Sequence, residues 1–166
     1  MDLKIKLYLE RSENELVLAQ ASFLLSTNDE AKDAVKVPRD KTFFHNVISQ
    51  SYYSVFYCAK AYLLSKGIET KPPEEHKKTY DTFKKFVEEG VIDVELMNIY
   101  EDAVIKAEEL LNIFKTEKGK RGHFTYHIDA NANKPFSEES LENSKKFIAH
   151  IKKIIEVKSD KKGAKS

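Results

Sequence analysis

Between positions 42 and 66 the chain carries an apolar stripe too wide for a helix with only one buried face. Phe44, Ile48, Tyr52, Val55, Phe56, Ala59 and Leu63 recur at helical spacing, and Val47, Tyr53, Tyr57, Ala61 and Leu64 widen the stripe over most of the circumference. A helix apolar on most sides has to be surrounded. It is either the central member of a bundle or a helix covered on its second side by another subunit. Gly67 stands where a helix C-cap glycine belongs, and Lys71-Pro72-Pro73 marks a break after it.

The rest of the chain supplies helices to surround it. With 166 residues there is room for one ordinary domain, and with five glycines and four prolines there is little turn punctuation for strands. Leu3, Leu7, Leu9, Leu16, Ala19, Ala21, Phe23 and Leu24 predict a first helix over 3–26. Thr27-Asn28-Asp29 supplies turn and cap chemistry, and the exposed connection after it has room for a short helical turn. A third helix over 74–89 uses Tyr80, Phe83, Phe86 and Val87 and stops at Gly90; a fourth runs over 94–115. After a break through Asn131 to Pro135, Ser137 is expected to cap the last helix, which carries Leu141, Phe147, Ile148, Ile151, Ile154 and Ile155 and ends near Val157. The expected architecture is all-α: an up-and-down bundle of about five helices over 1–157, then a disordered basic tail over 158–166.

Charge and cysteine content narrow the function classes. Lys and Arg number 28 against 27 Asp and Glu, a net charge of +1, so no whole-chain field draws the protein to nucleic acid or to a membrane; any polyanion site has to be local, and no DNA partner is expected. From Glu117 to Ser166, however, twelve basic residues face seven acidic ones, a local excess that suits a phosphate-bearing ligand. The single cysteine, Cys58, closes no intrachain disulfide and reads as a small buried residue of a protein from a reducing compartment; the cytoplasm is the expected location. Charges in the first residues exclude a signal peptide there, and no window is apolar enough for a membrane span.

The run from Ser51 to Gly67, SYYSVFYCAKAYLLSKG, resembles the central helix of the HEPN family, the higher eukaryotes and prokaryotes nucleotide-binding domain, in its small stand-alone members. His76 opening the next helix, Phe83 and Phe86 before Glu89-Gly90, and Arg121 through Tyr126 before the final helix extend the resemblance over roughly 12–157. It implies a helical bundle that forms a two-fold dimer, a ligand that is RNA or a nucleotide, and, in toxin-type members, a nucleotidyltransferase antitoxin as partner. Active members cleave RNA without metal through an arginine and a histidine separated by four to six residues. Arg121 and His127 have that spacing here, with Tyr126 beside them and Gly122 where active members often carry a polar residue. The resemblance therefore assigns phosphate binding to Arg121, proton transfer to His127 and positioning to Tyr126, with no cofactor and no metal. Stand-alone relatives that keep the arginine and a downstream tyrosine without the histidine match Arg121 and Tyr126 alone.

The residue types suit that chemistry. Histidine, with a reference pKa of about 6.5, exchanges protons near neutrality, and a guanidinium holds two phosphate oxygens at once. On a straight helix, six residues set two side chains about 120° apart, so convergence needs a bent segment, for which Gly119, Gly122 and Pro135 provide. Blander uses stay open: Arg121 neutralising a helix C-terminus, His127 as a loop histidine, and Tyr52, Tyr53, Phe56 and Tyr57 as packing rather than a surface for base stacking. His76, beside Lys77 and Lys78, reads as a phosphate contact or as a solvated helix start. His123 and His127 share i, i+4 spacing without the acidic partner that a zinc site of that kind uses. The function of a different class is a non-catalytic nucleotide-binding or protein-interaction bundle acting as a dimer.

Overall fold

A computed structural model describes residues 1–111 and 133–163. Six helices follow one another: α1 (Leu3–Thr27), α2 (Asp29–Ala34), α3 (Phe44–Ser65), α4 (Glu75–Glu88), α5 (Val94–Leu111) and α6 (Lys134–Gly163), with no strand among the described residues. The chain is an all-α helical bundle, as expected. The additional element, α2, is the short turn of helix in the connection after α1. Asn28 serves both neighbours there: its backbone N–H closes α1 on the Leu24 carbonyl, and its side chain accepts from the Ala31 N–H at 2.7 Å to start α2.

α3 packs against α1, α4, α5 and α6, so its own chain covers most of the wide stripe, while Tyr53 and Tyr57 stay half-buried. Tyr52, Val55, Phe56, Cys58, Ala59, Tyr62 and Leu63 are all buried along it. The core continues through Phe83 of α4, Tyr100 of α5 and Phe147 of α6. Both predicted glycine caps are present. Gly67 (φ 80°) and Gly90 (φ 71°) lie in the left-handed region after α3 and α4. In each case the glycine N–H and the next N–H return to the last turn, to Leu64 and Leu63 after α3 and to Val87 and Phe86 after α4. This double closure satisfies the end carbonyls, and a side chain at the glycine would strain the backbone.

Two expectations need correction. The face of α1 that meets the bundle is Ile5, Leu9, Ser12, Ala19, Ser22 and Ser26, whereas Leu3 (72% exposed), Leu7 and Leu24 point outward. Small residues win the interface because they let α1 and α3 approach closely, and their hydroxyls need not go unsatisfied: Ser12 donates to the Ser54 carbonyl at 2.7 Å and Ser26 to the Ser22 carbonyl at 2.7 Å. The last helix begins at Lys134 instead of being capped by Ser137, which lies inside it, is buried and donates to the Lys134 carbonyl. Pro135 is compatible with that start because first-turn N–H groups have no helical partner to lose. The helix also runs past the expected end at Val157 to Gly163, since each added residue of a formed helix gains a hydrogen bond without a new nucleation cost.

Cys58 is fully buried, and burial pushes its thiol pKa well above the ordinary range. An aromatic disulfide reagent is therefore expected to leave the native protein unmodified at neutral pH and to titrate one thiol when urea unfolds it. Rapid modification without denaturant would mean that α3 is not enclosed.

Candidate functional site

The sequence-predicted residues Arg121, Tyr126 and His127, with His123, lie outside the described residues. Of the other histidines, His45 and His150 are exposed, and His76 is not the solvated helix start that its lysine neighbours imply. It lies half-buried against the aromatic rows of α3.

The rows arise from spacing. Tyr52 and Phe56 form one i, i+4 pair on α3, and Tyr53 and Tyr57 form the adjacent pair, so two ring stacks run side by side along the helix. α4 begins beside them. Glu74 precedes it in the left-handed conformation (φ 58°), a strained geometry for a residue with a side chain, and the first turn then places His76 against α3. The His76 ring stacks on Phe56 with centroids 4.1 Å apart and lies edge-on to Tyr53 at 6.0 Å. Its Nδ1 shares a 2.7 Å hydrogen bond with the Tyr52 hydroxyl. One residue earlier, Glu75 ion-pairs with Lys60, a buried lysine of α3 whose ammonium also lies 4.7 Å from the centre of the Tyr8 ring.

The electrostatics keep this cluster uncharged at its centre. Burial first, and the Lys60 charge second, lower the His76 pKa below its ordinary value. Burial, reinforced by Tyr53, Glu108 and Tyr57, raises the Tyr52 pKa far above that of a free phenol. Tyr52 is thus a neutral hydroxyl that fixes the histidine ring, and His76 a neutral imidazole able to take up a proton only below its usual range. A histidine that folds with a lowered pKa contributes its full stability above the unfolded pKa of about 6.5 and loses it as pH falls toward the folded value, because the unfolded chain then binds the proton first. Urea midpoints of the wild type are therefore expected to fall as pH drops below about 6.5. His76→Gln, which keeps a polar partner for Tyr52, should flatten that part of the profile; an unchanged slope would remove His76 as its source.

The basic excess of the C-terminal part is partly neutralised within the fold. On α6, Lys145 pairs with Glu142 at 2.7 Å, Lys146 with Glu95 of α5, and Lys152 with Glu13 of α1. Lys106 of α5, almost fully buried, reaches Asp102 at 2.7 Å and Glu139 of α6 at 3.3 Å. Lys146, Lys152 and Lys106 tie helices together through these pairs, whereas the Lys145 pair lies within α6. Among the described residues, no cluster of histidine, cysteine and acidic side chains is arranged to hold a metal ion, and no helix is long and apolar enough to cross a membrane.

What the sequence does not reveal is the pairing of Tyr52 with His76, each of which it offers only singly. The signal for it was the break at Pro72-Pro73, which returns the chain toward α3 just before His76, but only the direction of α4 decides which ring it meets.

Comparison with known proteins adds two similarities. No family model matches the chain. Over 81 residues, 48% of the chain, it is 32% identical to a Methanocaldococcus jannaschii protein named "Putative toxin MJ0142"; the match spans about half of that protein, 53% of its length. Over 145 residues, 86% of the chain and 93% of the relative, it is 23% identical to a second protein of the same organism, named "Putative toxin MJ0605".

Proposed function

We propose that this chain is a toxin-like protein of the HEPN type that acts on RNA or nucleotides, as a metal-independent endoribonuclease restrained by a nucleotidyltransferase antitoxin. The observation that carries this reading is the similarity to "Putative toxin MJ0605", because it runs through 86% of the chain and 93% of that relative and so includes the segment of Arg121, Tyr126 and His127. The surrounded aromatic helix supports the HEPN assignment. Exposed Val17, Leu18 and Leu24 on α1 support a homodimer, since exposed large apolar side chains are stabilised by a second surface.

In this reading Arg121 clamps the scissile phosphate, His127 moves the proton between the ribose 2′-hydroxyl and the leaving oxygen, and Tyr126 positions one of them. No metal or cofactor enters the reaction. The test is incubation of the purified protein with end-labelled mixed-sequence RNA in EDTA, beside Arg121→Ala and His127→Ala. Fragments ending in cyclic phosphate, lost in both variants, are the expected result. Intact RNA, or cleavage that survives both substitutions, would transfer the assignment to a non-catalytic nucleotide-binding or protein-interaction bundle.

A further inference from the structure

The two aromatic rows of α3 have different fates. Tyr52 and Phe56 are enclosed in the core, but Tyr53 and Tyr57 are only half-buried. With Ser49 and Gln50 of the same helix, and Arg11 and Glu15 of α1, they line a surface groove of about 350 Å³. That is within the range of small-ligand sites, roughly 300–1,000 Å³. The tyrosines lie nearly parallel, 26° apart with centroids at 6.4 Å, and Tyr8 continues the row beyond Tyr57 at 18° and 6.4 Å. The Arg11 guanidinium stands 5.2 Å from the centre of the Tyr57 ring and donates to Glu15 at 3.0 Å. Gln50 accepts from the Ser22 hydroxyl at 3.2 Å through its carboxamide oxygen, which leaves the carboxamide N–H groups for another partner.

We propose that this groove binds an unpaired nucleobase together with its phosphate, offered either by single-stranded RNA or by a free nucleotide. The lining argues for that chemistry by elimination. An inorganic anion has no use for two tyrosine rings, and a purely apolar ligand has none for a guanidinium, a carboxylate and a carboxamide. A base on a sugar phosphate uses them all: its face lies on tyrosine, its edge meets Glu15 and Gln50, and its phosphate is drawn to Arg11. The proposal rests on the RNA-directed reading above for its choice of nucleobases over other flat heterocycles.

The test measures binding without cleavage. A fluorescent single strand of about ten nucleotides, within the range of single-strand site sizes, is made of 2′-O-methyl RNA so that no 2′-hydroxyl is available for attack. Its anisotropy is followed as the full chain is added, with an abasic strand of equal length as control and the four nucleoside monophosphates as competitors. Tyr57→Ala should weaken binding about tenfold, the loss of one stacking platform, and Tyr57→Phe should stay within about twofold. Because Tyr57→Ala also trims packing, Ser49→Trp provides a second arm that fills the groove while removing nothing from the core, and it should weaken binding at least as much. Competition by monophosphates identifies a free nucleotide as the ligand; competition by strands alone identifies RNA. Equal binding of the abasic strand, wild-type affinity in Ser49→Trp, or no binding by the wild type would overturn the proposal. So would a change from dimer to monomer in Ser49→Trp at unchanged RNA affinity, since the groove would then be a contact between copies. Groove variants that bind normally while Arg121→Ala abolishes cleavage sink the groove alone. Groove-dependent binding by a chain that never cleaves RNA sinks the ribonuclease reading alone.

Discussion

Phe83→Ala is expected to cost about 3–5 kcal/mol, a large part of the roughly 5–15 kcal/mol that holds a domain folded. Phe83 is fully buried and is one of only two buried residues on α4, the other being Thr79. Its ring meets Tyr62 of α3 at 5.8 Å, Tyr100 of α5 at 5.5 Å and Phe147 of α6 at 5.5 Å. It therefore touches three other helices at once, and the truncation leaves a cavity lined by rigid rings that collapse poorly. Thermal unfolding followed by circular dichroism should show a midpoint lower by roughly 10 °C, given about 2–4 °C per kcal/mol for a chain of this size. Leu7→Ala is the control. Leu7 is 53% exposed, and its loss should change stability by no more than about 0.5 kcal/mol. A Phe83→Ala protein as stable as the Leu7→Ala protein would show that α4 is not docked through this ring. Cys58 offers a second readout, since its reaction rate under native conditions reports how often the core opens.

The second large effect is catalytic. Under the proposed function, removing His127 takes away a positioned proton-transfer group, worth typically about 10²–10⁴-fold in rate. Removing Arg121 takes away fixed positive charge at the phosphorane, worth about 10²–10³-fold by analogy with other preorganised electrostatic donors. Arg121→Lys is expected to recover little, because an ammonium does not reproduce the two parallel hydrogen bonds of a guanidinium. The double variant should be scarcely slower than the worse single one, as groups acting as one unit are not additive. Unfolding midpoints within about 1 °C of the wild type would separate this loss from destabilisation. If instead both substitutions lower the midpoint as Phe83→Ala does, the two residues belong to the packing and the catalytic assignment fails.

Particular residues show how far the fold was legible beforehand. The α3 stripe was visible because a helix needing cover on most sides leaves apolar residues at almost every turn of phase. Gly67 and Gly90 were visible because a left-handed position after a helix strongly favours glycine. The α1 face differs in part from its periodicity because leucine is a stronger periodic signal than serine, yet close helix approach favours the smaller residue. Ser12, Ser22 and Ser26 are buried for a reason that exists only once α3 lies beside them. Of the candidate functional features, the arginine and histidine spacing at 121 and 127 is legible as a motif. The Tyr52 and His76 bond was not, since it joins residues 24 positions apart through the turn that precedes α4.

The sequence by itself determined the helical class, the need of α3 for cover on most sides and the positions of the glycine caps after α3 and α4, because those follow from local periodicity and backbone preference. Only the tertiary structure decided which of the four neighbouring aromatics became core and which became groove. The one-dimensional pattern places Tyr52 and Phe56 in the main stripe and Tyr53 and Tyr57 at its edge, but how far that edge is covered depends on where α1 and α4 cross α3. α4 brings His76 to the Tyr52 and Phe56 row, and α1 flanks Tyr53 and Tyr57 with Arg11 and Glu15 without covering them, so helix directions, which no local spacing encodes, set the chemistry of this face.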